Sequence, residues 1–269
     1  MRSFILSLPA KLQPVVIIGL TVVAAFVISL VIRAGLNAQQ LALDSTWITT
    51  VYGTLGTLYS VLLAFVVAGV WQSFTDAEVA VNSEANALTD LVFLIRYIST
   101  AKTAHVREST RSYVASVVER WDLLGLATRQ NSPVEEVNIA TSNALLNAIL
   151  DLKPEGDREM ALYAQALDLT AIWLDARRNR LRSAKGNTAA ALWGLLIAGA
   201  FVLFAFHGLF VTHAWAVWAI LLLGFSLIVG LSFYLIFSLD SPFSGRLSAG
   251  PEPFKWLLQD FERTDAFRL

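Results

Sequence analysis

The stretch VYGTLGTLYSVLLAFVVAGVW (Val51–Trp71) runs straight into QSFTDAEVAVNSEANALTDLVFLI (Gln72–Ile95), and this junction decides the fold. The first 21 residues contain no Asp, Glu, Lys or Arg. About 20 apolar residues suffice for a helix to cross a bilayer. The residues after Trp71 turn polar but keep apolar side chains at helical spacing: Phe74, Val81, Ala85, Leu88, Val92 and Ile95. Neither Gly nor Pro falls between Gly69 and Gly125. The reading is one helix that spans the membrane and continues out of it.

Three further runs have the same character. They are Val15–Ile32, Ala189–Phe210 and Trp215–Phe237, of 18, 22 and 23 residues, and none contains Asp, Glu, Lys or Arg. The first has a basic start in Arg2 and Lys11. It is nonetheless longer than the ~7–15 apolar residues of a signal peptide and lacks a small-residue cleavage site, so it reads as an uncleaved span. Aromatic residues lie where interface anchors belong: Trp47, Tyr52 and Trp71 around the second span, Trp193 in the third, Trp215 and Trp218 at the fourth. Hydrophobic residues make up 56% of the 269 and charged ones 15%, against about 25% charge in soluble domains. The expected fold is all-α: a polytopic membrane protein of four transmembrane helices with a helical insert between the second and third.

Several functional classes are excluded at this level. The chain has no cysteine and three histidines, His105, His207 and His213. No HExxH, GxSxG, Walker or GxGxxG pattern occurs. The expectation is therefore no enzyme, no cofactor and no metal. A net charge of −1 without a basic face argues against nucleic acid as a partner.

Lys and Arg set the orientation. Thirteen of the twenty fall between Gln72 and Thr188, four in the C-terminal tail and two in the N-terminal tail. Positive charge collects on the cytoplasmic side, so both termini and the insert are placed there. The organisation is then 1–71, a first helix pair; 72–188, a cytoplasmic bundle; 189–239, a second pair; and 240–269, a cytoplasmic tail.

Within the insert, a helix over Thr103–Arg129 buries Val106, Tyr113, Val114, Val117, Trp121 and Leu124. Ser132-Pro133-Val134-Glu135 is a capping box with Pro at the first helical position, opening a helix to Leu152. Lys153-Pro154-Glu155-Gly156 ends it, and a last helix runs from Asp157 towards Lys185. The tail helix Phe254–Phe261 either docks on the bundle or lies on the membrane surface.

YVASVVERW (Tyr113–Trp121), RRNRL (Arg177–Leu181) followed by Trp193, and LDSPFSG (Leu239–Gly245) resemble stretches of the bacterial bestrophin-like membrane domain, long catalogued as a domain of unknown function. The likeness covers roughly residues 50–261. It is distantly similar to bestrophins, which are pentameric, mostly anion-conducting channels whose second transmembrane helix lines the pore. The resemblance implies a homo-oligomeric, pentameric ion channel of the bacterial inner membrane, with inorganic ions and membrane lipids as partners. The calcium-binding acidic clasp of animal bestrophins has no match here, so calcium gating is not implied.

Candidate residues follow, each with a plain alternative. Gly53, Thr57, Ser60, Ala64 and Ala68 recur every three or four residues and share one face of span two. That face either lines a pore or packs closely on another helix. Asp76 and Glu84, eight residues apart, either form acidic rings around an axis or sit on a solvated surface; acidic rings favour cations, so selectivity stays open. Arg177, Arg178, Arg180, Arg182 and Lys185 either hold anionic lipid headgroups, at about 1 kcal/mol each, or simply mark the cytoplasmic side. No span contains Asp, Glu, Lys or Arg, and His207, near the outer end of span three, reads as a packed, hydrogen-bonded residue; this argues against coupled transport, which uses such groups on its path. The alternative to a channel is a non-conducting scaffold or signalling protein whose bundle recruits a partner.

Overall fold

The computed structural model describes residues 9, 11–35, 45–98, 102–124, 133–184, 190–210, 214–243 and 247–266. All regular structure among them is helical: α1 (Gln13–Gly35), α2 (Ser45–Ile95), α3 (Thr103–Glu119), α4 (Trp121–Leu124), α5 (Pro133–Leu150), α6 (Gly156–Ser183), α7 (Ala190–Gly208), α8 (Trp215–Leu239) and α9 (Glu252–Ala266). Four of these, α1, α2, α7 and α8, carry segments long and apolar enough to cross a membrane. At 1.5 Å per residue, the 51 residues of α2 extend about 75 Å, against a hydrocarbon core of about 30 Å. One continuous helix of that length has to leave the bilayer.

The chain divides into two compact units, Met1–Gln72 with Asn187–Asp240, and Ser73–Gly186 with Ser241–Leu269. In the first unit α1 packs on α7 and α8. Its buried positions, Gln13, Thr21, Ala25 and Ser29, are small or polar and lie on one face. Small side chains let helices approach closely where lipid supplies no hydrophobic drive between them. The Ser29 hydroxyl donates to the Phe204 carbonyl at 2.7 Å, and the Tyr59 hydroxyl of α2 donates to the Leu196 carbonyl at 3.0 Å. His207 is buried beside Trp218, Tyr52 and Phe210. The Trp218 indole N–H donates to the His207 carbonyl at 3.2 Å.

Gly208 marks the tightest of these approaches. A Cβ there would lie 2.5 Å from the Ser29 carbonyl oxygen and 3.1 Å from the Ile32 Cβ. Gly208→Val is therefore expected to cost about 1–3 kcal/mol, the usual range for overpacking. A Cβ at Gly53 meets nothing within 4 Å, so Gly53→Val serves as the control. Thermal unfolding of both variants in detergent checks this, and equal melting temperatures would refute it.

The second unit has its own apolar core, to which α2, α3, α5, α6 and α9 all contribute. The stripe on α2 falls as expected, with Val81, Ala85, Leu88, Val92 and Ile95 buried, although Phe74 is only partly so. All six predicted core residues from Val106 to Leu124 are buried. Their helix is not continuous: α3 ends at Glu119, and Arg120 (φ −108°, ψ 17°) breaks it before the single turn of α4. The capping residue Ser132 lies outside the described residues.

Candidate pore face and a buried ion-pair centre

Gly53, Thr57, Ser60, Ala64 and Ala68 are all exposed on α2, while Tyr59, Leu63, Val66 and Val70 fill the opposite, buried side. The hydroxyls of Thr57 and Ser60 donate to the carbonyls of Gly53 and Gly56 at 2.9 and 2.8 Å. Bonding back one turn satisfies a hydroxyl without any neighbouring helix. A Cβ at Gly53, Gly56 or Gly69 would touch nothing. Close packing within the subunit is thus not what these small residues serve.

The two acidic candidates separate. Asp76 is exposed, whereas Glu84 is 0% exposed. Eight residues at 100° each leave them about 80° apart around the helix, enough to carry Glu84 onto the core face with Val81, Ala85 and Leu88. The ring expectation fails for Glu84, because a carboxylate enclosed by its own subunit presents nothing to an axis.

Glu84 instead meets Arg180, which is 1% exposed. Arg180 Nε–H donates to Glu84 Oε2 at 2.7 Å and Nη2–H to Oε1 at 3.1 Å. This is the two-pronged guanidinium–carboxylate geometry, the strong form of a charged hydrogen bond. The Tyr113 hydroxyl donates a short bond to Glu84 Oε1. Burial, together with the Glu84 charge, raises the Tyr113 pKa, so the phenol stays a donor beyond the ordinary tyrosine range. Burial disfavours the Arg180 charge, but the facing carboxylate outweighs it and raises the guanidinium pKa.

Aromatic rings enclose the pair. The Arg180 guanidinium carbon lies 5.8 Å from the ring centroids of both Trp121 and Phe254, within cation–π range. Trp121 stands edge-on to Phe243 at 5.5 Å, and its indole N–H donates to the Ala249 carbonyl at 3.1 Å. Tyr113 stands edge-on to Trp173 at 5.2 Å. Tyr113 and Trp121, Arg180, and Phe243 come from the three stretches that carried the resemblance, so those stretches meet at one centre. The tail helix docks there too, through Phe254, Leu257 and Phe261.

The basic run consequently splits by helix face. Arg180 is 1% exposed and enclosed in the core, which removes it from the headgroup candidates. Arg177 is partly buried, Arg182 is exposed, and Arg178 is exposed and bonded to Asp175 at 3.1 Å. Lys185 lies outside the described residues. Consecutive residues on a helix point 100° apart, so a run of basic residues does not form a single surface. The partner of Glu84 was missed in the sequence because it stands 96 residues away. The one available hint was an arginine in register with the apolar positions Trp173 and Ala176 of α6.

A family profile, the Bestrophin-like domain, matches residues 19–254. Crystal structures of point-mutated bacterial bestrophin homologues from Klebsiella pneumoniae share the fold. One is 18% identical with a TM-score of 0.62, covering 93% of this chain and 97% of that one. Another is 17% identical with a TM-score of 0.65, covering 92% and 98%. No curated protein matches the chain in sequence.

Proposed function

The chain belongs to the bestrophin-like family, and on that premise we propose that it is a pentameric ion channel of the bacterial inner membrane. Span two of each copy lines the central pore through Gly53, Thr57, Ser60, Ala64 and Ala68. The insert and both termini face the cytoplasm, where Asp76 forms the acidic ring nearest the span in sequence. Arg178 and Arg182 face anionic headgroups. The observation that carries this reading is the exposed stripe on α2, small, faintly polar and self-satisfied in its hydrogen bonds. Such a surface tolerates water and passing ions without offering them a charge to bind. The span contains no Asp, Glu, Lys or Arg, which suits passive conduction better than coupled transport.

The test joins assembly to conduction. Light scattering of the detergent-solubilised protein is expected to give a closed oligomer of five, and proteoliposomes are expected to pass ions. Ala64→Trp should bring flux down to near background, while Asp76→Asn should shift the reversal potential and leave flux in place. A monomer, or a conducting protein indifferent to Ala64→Trp, would overturn the assignment of α2 to the pore. A folded oligomer that passes no ion would favour the scaffold reading.

A further inference from the structure

The core-facing stripe of α6 carries Ala166, Thr170, Trp173, Arg177 and Arg180 at alternating spacings of four and three, which stack on one side of a helix. All are buried except Arg177, which is partly so. The two arginines differ in one respect. Arg180 has Glu84 as its counter-ion. Arg177, one turn earlier, has its Nε and Nη2 nitrogens closed to solvent and without an acceptor among the described residues. Trp173, one turn earlier again, is 0% exposed, and its indole N–H also meets no acceptor among the described residues.

These are three donor nitrogens along one turn of helix, two of them on a permanent cation. A buried donor without an acceptor costs about 1–3 kcal/mol, and more when charged. The Glu84 carboxylate is already engaged: Oε1 accepts from Arg180 and Tyr113, and Oε2 from Arg180. With Glu84 and Arg180 offsetting one another, Arg177 is a charge of the centre that has no counter-ion among the described residues. Its influence reaches Tyr113, whose ring packs on Trp173.

The donor chemistry restricts the ligand. Indole and guanidinium donate and do not accept, so they reject cations and suit a group made of acceptors. Nε and Nη2 form one edge of the guanidinium, the same edge that Arg180 presents to the two oxygens of Glu84. Such an edge matches two oxygens of a carboxylate or phosphate. We propose that Trp173 and Arg177 form a binding site for a small oxyanion, a phosphate or carboxylate group, in the helical insert.

The test is equilibrium dialysis of the full-length protein in a phosphate-free maltoside detergent, with labelled inorganic phosphate at constant chloride-adjusted ionic strength. Saturable binding is expected, with sulfate and acetate competing. Arg177→Gln should weaken it by about tenfold or more, the equivalent of one charge-assisted hydrogen bond. Arg178→Gln, on the exposed side, should leave it unchanged. Trp173→Phe, which removes only the N–H from the ring's polar inventory, should weaken it less than Arg177→Gln does. It stands in if Arg177→Gln does not elute as folded protein. Repeating the measurement in phosphatidylglycerol discs separates two sources: phosphate excluded only there identifies a lipid headgroup as occupant, and phosphate retained identifies a free anion. No saturable binding to the wild type, or binding unaltered by Arg177→Gln and Trp173→Phe, overturns the site.

Discussion

Glu84→Ala is expected to destabilise the insert bundle by about 3–5 kcal/mol, because it leaves the Arg180 charge buried without a counter-ion. The pair is almost wholly enclosed, at 1% and 0% exposure, so water cannot take over the lost bonds. The Tyr113 hydroxyl loses its acceptor in the same step. At this size of unit, the loss corresponds to a fall in melting temperature on the order of 10 °C. The double variant Glu84→Met with Arg180→Met should recover much of it, since replacing a buried pair by apolar groups of similar volume is often neutral or better. Differential scanning of the wild type, Glu84→Ala and the double variant checks this. A double variant no more stable than Glu84→Ala alone would show that the pair acts through something other than its buried charges.

Phe254→Ala is the second large effect, at about 3–5 kcal/mol for a fully buried aromatic ring. Phe254 is 0% exposed, lies 5.9 Å from the Trp121 centroid and covers one face of the Arg180 guanidinium. It anchors α9, whose other inward residues are Leu257 and Phe261. Arg107 of α3 holds the far end of that helix, its Nη2–H donating to the Phe261 carbonyl at 3.1 Å and its guanidinium lying 5.5 Å from the Phe261 ring. Removing the Phe254 ring should free the tail before the rest of the bundle opens. Limited proteolysis followed by mass analysis is expected to clip the variant within residues 247–266 much faster than the wild type. Equal cleavage rates would mean that α9 is held by contacts other than this ring.

Both predictions concern features read only in part from the residues. Docking and surface attachment of the tail were equally compatible with the apolar positions of 254–261, because an amphipathic helix fits an apolar groove as well as it fits a membrane surface. The break at Arg120 carries no Gly or Pro to announce it, so helical periodicity ran on through it. Packing of Trp121 against Phe243, Phe254 and the Ala249 carbonyl accompanies the separate turn of α4. Arg180 and Glu84 read as surface charges, because a charged side chain is almost never fully buried unless paired, and nothing local names a partner 96 residues away.

What the sequence determined by itself was the set of properties that repeat over short distances. Four uncharged runs of bilayer length, the continuous helix through Trp71, and the buried positions from Val106 to Leu124 follow from composition and from a period of 3.6 residues. The tertiary structure alone decided which charged side chains are core and which are surface. It turned Glu84 inward while leaving Asp76 out, gave Arg180 its counter-ion, and left Arg177 without one among the described residues. The reason is physical: periodicity tells a residue which way to point, but the worth of a charge depends on what stands opposite it.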